Sequence, residues 1–171
     1  MTNSQLVPKF AFLIKGKGED KSQLQAFDIA LREAGPLVHN LVTVSSILPA
    51  GCKFISKEEG INMLEPGQIT FCVMARQDSN VLGEVISASI GTAQLRDKNH
   101  YGFISEHHAI GQSEKEAGDY AENLAVQMFA LKLALSKDEL SFIKSSNTTQ
   151  AAEVTKKGIW TCVLSICVFC C

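Results

Sequence analysis

The chain has 171 residues, of which 46% are apolar and 20% charged, with a formal net charge of -2. That is the profile of one folded domain, long enough to bury a core without staples, and it excludes disordered and fibrous classes. Sixteen basic against eighteen acidic residues, with no Lys/Arg block, leave no footprint for a nucleic-acid backbone or an anionic membrane, so the expected partner is a small molecule or a protein.

In chain order, KFAFLIK (residues 9–15) predicts a short strand and GKGED a polar turn. Leu24, Phe27 and Leu31 recur at helical spacing, with Gly35-Pro36 as the stop, so residues 22–34 predict an amphipathic helix with Asp28 on its apolar, buried face. Strands are expected at 37–46, 68–76, 84–90 and 101–107, with a turn at LPAG between the first two. Ser113 and Glu116 form a capping box ahead of Ala117, Tyr120, Leu124, Met128, Leu131 and Leu135, the signature of one long amphipathic helix that must cover a sheet. LSFIKS and GIWTCVLSICVF read as two further strands joined by the polar loop SNTTQAAEVTKK. The sum is an α+β single domain, residues 1–171, with two principal helices on mainly antiparallel sheet.

The six cysteines are Cys52, Cys72, Cys162, Cys167, Cys170 and Cys171. No C-x-x-C pair is matched by a second pair or by histidines at finger spacing, and MTNSQLVPKF lacks the build of a signal peptide. Free thiols in a reducing cytoplasm are therefore expected. Residues 159–171 are too short for a bilayer span, which needs about 20 apolar residues, so they predict a buried C-terminal strand, with a lipidated tail as the minor alternative.

Familiar catalytic motifs are missing. GKGED has neither the Lys-Ser/Thr of a phosphate loop nor the spacing of a dinucleotide fingerprint. His107 and His108 are adjacent on a strand and so point to opposite faces, which argues against a shared metal. Three polar residues in apolar company stand out: Asp28 on its helix, Asn40 in a strand, and Glu106 in phase with Ile104. Each alone is explained by backbone partners or a turn. The adjacent pair Ser45-Ser46, between an apolar strand and a proline turn, adds a fourth feature.

Together these residues resemble the pyruvoyl-dependent arginine decarboxylases. The resemblance rests on AFDIALREAG, HNLVTVSSILPAGC, GEVISASIG, GFISEH and GQSEKEAGDYAENLA in that order, while the cysteine-rich C terminus departs from the archaeal pattern. It implies a four-layer αββα sandwich that assembles as homotrimers, singly or paired, with active sites at subunit boundaries. It also implies autocatalytic serinolysis between Ser45 and Ser46, giving a β chain of residues 1–45 and an α chain of residues 46–171 that begins with a covalent pyruvoyl group made from Ser46. That ketone would serve as the electron sink for decarboxylation, so neither pyridoxal phosphate nor a metal is needed. Asn40 resembles the residue that supports processing. It stands six residues before Ser46, about 20 Å along a straight strand, so either the chain bends or the amide serves a neighbouring subunit's serine. Glu106 resembles the proton donor to the α-carbon, a carboxyl that an apolar strand face would keep protonated. Asp28 resembles the residue that binds the substrate guanidinium.

The expected function is decarboxylation of L-arginine to agmatine and CO2. The alternatives are a pyruvoyl decarboxylase of another amino acid, or a non-catalytic trimeric scaffold whose Ser45-Ser46 bond stays intact.

Overall fold

The computed structural model describes residues 6–35, 40–96, 100–136 and 139–171. Its elements are β1 (Phe10–Asp20), α1 (Gln23–Ala34), β2 (Asn40–Thr43), β3 (Ile47–Leu48), β4 (Lys53–Phe54), α2 (Lys57–Asn62), β5 (Ile69–Ser79), β6 (Val85–Leu95), β7 (Gly102–Ile110), α3 (Glu114–Leu133), β8 (Ile143–Glu153) and β9 (Trp160–Cys170). Among the described residues the strands form two sheets, ordered β2-β5-β9-β1-β4 and β3-β7-β6-β8. The β1–β4 and β2–β5 pairs are parallel and the other pairs antiparallel. This is the expected α+β sandwich.

Three buried clusters mark the joints between four layers. Ala11, Val73, Ile90, Ile104, Val163 and Phe169 fill the space between the sheets. Ala26, Ala30 and Ala34 of α1 lie on Phe12, Leu164 and Ile166 of the first sheet. Ala125 and Phe129 of α3 lie on Ala93 and Phe103 of the second. Strand β9 is central, paired with β1 on one side and β5 on the other, and its residues Thr161–Cys170 are all buried. A strand covered on both faces reads as a continuous apolar run. Its one interior serine, Ser165, donates to the Ala88 carbonyl of the opposite sheet at 2.9 Å, which removes the cost of burying a hydroxyl.

Several local readings need correction. On α3 the face against the sheet is Ala117, Ala121, Ala125 and Phe129, while Tyr120, Met128 and Leu131 of the expected stripe are exposed. GKGED is the second half of β1, not a turn, because α1 approaches it so closely that side chains are excluded: a Cβ at Gly16 or Gly18 would fall on the carbonyl oxygen of Ala30 or Ala26. Most of the supposed loop 146–157 is strand β8, whose alternate residues meet α3, with Ser145 and Asn147 donating to the Glu122 carboxylate at 2.7 and 2.8 Å. The strand expected at 37–46 is β2 over Asn40–Thr43, and residues 37–39 lie outside the described residues. Helix α2 went unforeseen although Ser56 and Glu59 form a capping box like that of α3.

Candidate active site

Strand β2 is the margin of the first sheet, paired with β5 from Asn40↔Ile69 to Thr43↔Cys72. Strand β3 is the margin of the second, paired with β7 through Ile47↔Phe103 and Leu48↔Gly102. Val44, Ser45 and Ser46 are the whole connection between them. Serine is a poor strand former, so a serine pair is a sensible place for the chain to leave one sheet and enter the other. The crossing is held on both sides: the Val44 N–H donates to the Cys72 carbonyl at 2.9 Å, and the Ile104 N–H donates to the Ser46 carbonyl at 2.7 Å. The Ser45–Ser46 peptide is thus suspended between two fixed points of two different sheets. Ser45 is exposed and Ser46 half-buried.

Glu106 stands on β7, two residues beyond Ile104. Alternation along this strand is unambiguous: Ile104 is buried between the sheets, whereas Ser105 turns to α3 and donates to the Ala121 carbonyl at 2.5 Å. Glu106 therefore shares the inner face with Ile104, on the margin where Ser45 and Ser46 cross. Burial first, and the charge of Glu106 second, push the Cys72 thiol up to about 11, so the carboxylate is close enough to act electrostatically on the residue paired with Thr43. The expectation of a desolvated Glu106 is corrected: the carboxylate is exposed, since it lies where the sandwich opens. Beside the junction is an apolar pocket of about 240 Å³ whose walls include Val44, Ser45, Ile47, Phe71 and Phe169.

Asn40 and Asp28 are placed elsewhere. Asn40 is exposed at the start of β2, with its side-chain N–H donating to the Gly67 carbonyl at 2.8 Å. Asp28 is not on a buried face. The face that α1 buries is its alanine row, because only small side chains allow the close approach to Gly16 and Gly18, and Asp28 lies exposed on the outer layer, ion-paired with Arg32 one turn on. Leu24, one turn before it, is 73% exposed, so the apolar stripe inferred from spacing is not the packed one.

Arg76 escaped the sequence reading, which weighs His107 only as a metal ligand. Arg76 of β5 stacks over the Phe27 ring at 4.0 Å and hydrogen-bonds Asp78 at 3.0 Å, pinning the helix that carries Asp28 to the strand beside β2. The alternation Arg76-x-Asp78 in a strand was the available signal. The His107 ring stacks on Tyr120 with centroids 4.3 Å apart and bonds Gln112 at 2.8 Å, which ties the end of β7 next to Glu106 onto α3.

Residues 10–171 match the family model described as pyruvoyl-dependent arginine decarboxylase. A probable pyruvoyl-dependent arginine decarboxylase of Chloroherpeton thalassium is 44% identical over 176 residues, covering 95% of this chain and 97% of that one. The pyruvoyl-dependent arginine decarboxylase of Methanococcoides burtonii is 50% identical over 133 residues, covering 78% and 74%. Pyruvoyl-dependent arginine decarboxylase 2 of Methanosarcina acetivorans is 40% identical over 178 residues, covering 96% and 97%. With an αββα sandwich whose two sheets are joined at one margin by a serine pair, and with likeness along almost its whole length, the chain belongs to the pyruvoyl-dependent arginine decarboxylase family.

Proposed function

We propose that the chain cleaves itself between Ser45 and Ser46 and then decarboxylates L-arginine to agmatine and CO2. The observation that carries this reading is the suspended Ser45–Ser46 peptide, with backbone held on either side and Glu106 on the adjoining strand. The Ser46 hydroxyl attacks the Ser45 carbonyl carbon, the C–N bond breaks, and an ester replaces the peptide. Loss of the Ser46 Cα proton expels the Ser45 carboxylate, and water then releases the nitrogen of residue 46 as ammonia to leave a ketone. An exposed peptide at an open margin suits these steps, since water must enter and products must leave. The pyruvoyl group supplies an electron-poor carbonyl that captures the substrate α-amine and accepts the electrons of the bond to CO2.

The remaining work falls to side chains. Glu106, open to solvent, takes up a proton from water and returns it to the α-carbon. Asp28 already holds a guanidinium, that of Arg32, and an exposed ion pair of this kind is weak enough for a substrate guanidinium to displace it. The distance from Asn40 to Ser46 is bridged by assembly. Strand β2 is regular from Asn40 to Thr43, so its first residue is held well away from the junction of its own chain, and its amide serves a neighbour's serine. Val42, Val44, Ile47 and Ile69 are exposed along this margin and give a neighbouring copy an apolar surface to cover, in keeping with a cytoplasmic homotrimer. Among the described residues no helix is long and apolar enough to cross a membrane.

The test is to incubate purified protein with arginine, lysine, ornithine and histidine in turn and to measure CO2 and amine. Arginine should be turned over in preference, and Ser46→Ala should be uncleaved and inactive. A cleaved protein that releases CO2 from another amino acid but not from arginine would keep the self-processing and overturn the substrate.

A further inference from the structure

The sandwich has a second open margin, opposite the serine junction, where β4 ends the first sheet and β8 ends the second. Between them lies a crevice of about 390 Å³, within the usual range of small-molecule sites. It is divided by polarity. Leu13 and Phe54 of the first sheet, with the thiol of Cys52, make an apolar floor. Burial first, then the neighbouring Cys170 and Cys171, push that thiol up to about 11, so it stays neutral and serves as surface rather than nucleophile.

The opposite wall is polar. The Thr92 hydroxyl donates to the Ser146 carbonyl at 3.3 Å and lies 2.9 Å from the Ser146 hydroxyl, so the two hydroxyls hold β6 to β8 at the crevice wall. Beside them stands Gln94, whose amide has no hydrogen-bond partner among the described residues. Lys53 and Lys144 flank the opening from the two sheets. Neither has a carboxylate partner among the described residues, and no Asp or Glu lines the crevice, whereas Lys15 and Lys17 of β1 are each paired with a glutamate.

We infer that this crevice is a binding site for a small organic anion, a carboxylate with an apolar body of a few carbons. Two unpaired ammonium groups from different sheets meet the carboxylate, the Gln94 amide hydrogens complete its shell, and Leu13 and Phe54 take the body. An inorganic anion would leave the apolar floor uncovered. A cation would meet two like charges. The site is independent of the serine junction and does not rest on the proposed reaction.

The experiment uses hexanoate as probe, with hexylammonium as the charge-reversed control, and ligand-observed NMR and calorimetry on the full chain as purified. Hexanoate should bind saturably and hexylammonium should not. The double variant Lys53→Glu/Lys144→Glu should weaken hexanoate about ten- to hundredfold, the loss expected when charged hydrogen bonds are removed. Lys21→Glu/Lys157→Glu changes net charge by the same amount beyond the far end of β1, and should bind hexanoate as the parent does. All four lysines are exposed, so the variants should fold. The inference is overturned if hexanoate shows no saturable binding, if hexylammonium binds as well, or if both double variants lose affinity equally, which would mean diffuse charge attraction only.

Discussion

Strand β9 and the segment Asn40–Leu48 lie in the same sandwich but answer to different constraints. In β9 every residue from Thr161 to Cys170 is buried, while in Asn40–Leu48 only Leu48 is. The first is fixed by packing on both faces within one chain. The second is held mainly by backbone pairing at two sheet margins, β2 on β5 and β3 on β7, and exposes Val42, Val44 and Ile47. If the proposed function holds, stability resides at the centre and chemistry at the margin, and substitutions should separate the two.

The largest separable effect is expected at Glu106. Glutamine keeps the shape but cannot donate an acidic proton, so Glu106→Gln should fold and cleave while its turnover falls about 10²- to 10⁴-fold. Single-turnover decarboxylation checks this. A cleaved variant with parental turnover would remove Glu106 from the proton transfer, and an uncleaved one would move it to processing.

At the centre, Leu164 is fully buried beneath α1. Leu164→Ala should cost about 2 to 5 kcal/mol through lost burial and the cavity left behind. Urea denaturation is best read on a Ser46→Ala background, which keeps the chain continuous. A change below about 1 kcal/mol would contradict the packing described, since buried leucine truncations rarely cost so little.

Asp28→Asn should raise the KM for arginine about ten- to hundredfold, as a charged hydrogen bond becomes a neutral one, with little change in cleavage. An unchanged KM would place guanidinium recognition elsewhere.

The smallest effect concerns the thiols. Burial pushes Cys52 and Cys72 up to about 11 and Cys162 up to about 12, and raises Cys167 and Cys170 as well, whereas Cys171 is exposed. Below those values the buried groups remain thiols, and only thiolates react. A thiol reagent at pH 8 should therefore modify one cysteine quickly in the native protein and all six after denaturation. Several fast-reacting cysteines would mean that the centre opens.

The centre was also the more legible region. The run GIWTCVLSICVF announced a strand buried on both faces, and the Ser113–Glu116 box located the start of α3. What escaped was set by neighbours distant in sequence. GKGED carries turn residues, but its glycines make room for α1. SNTTQAAEVTKK is polar because β8 lies at a sheet margin, with Glu122 of α3 satisfying Asn147. At the site, Ser45, Ser46 and Glu106 were legible as polar features on apolar strands, and strand phase gave the face of Glu106. The exposure of Asp28 and Glu106 was not legible, because helical and strand periodicity report which residues share a face and not where the partner layer ends. Arg76 was missed because its role depends on the ring of Phe27 crossing over it.

Intact mass under denaturing conditions measures the state of the Ser45–Ser46 bond directly. Freshly purified, active protein should give two species, residues 1–45 and residues 46–171, the larger beginning with a pyruvoyl group in place of a free amine. A single intact 18.6 kDa chain that decarboxylates arginine would contradict the proposed cleavage.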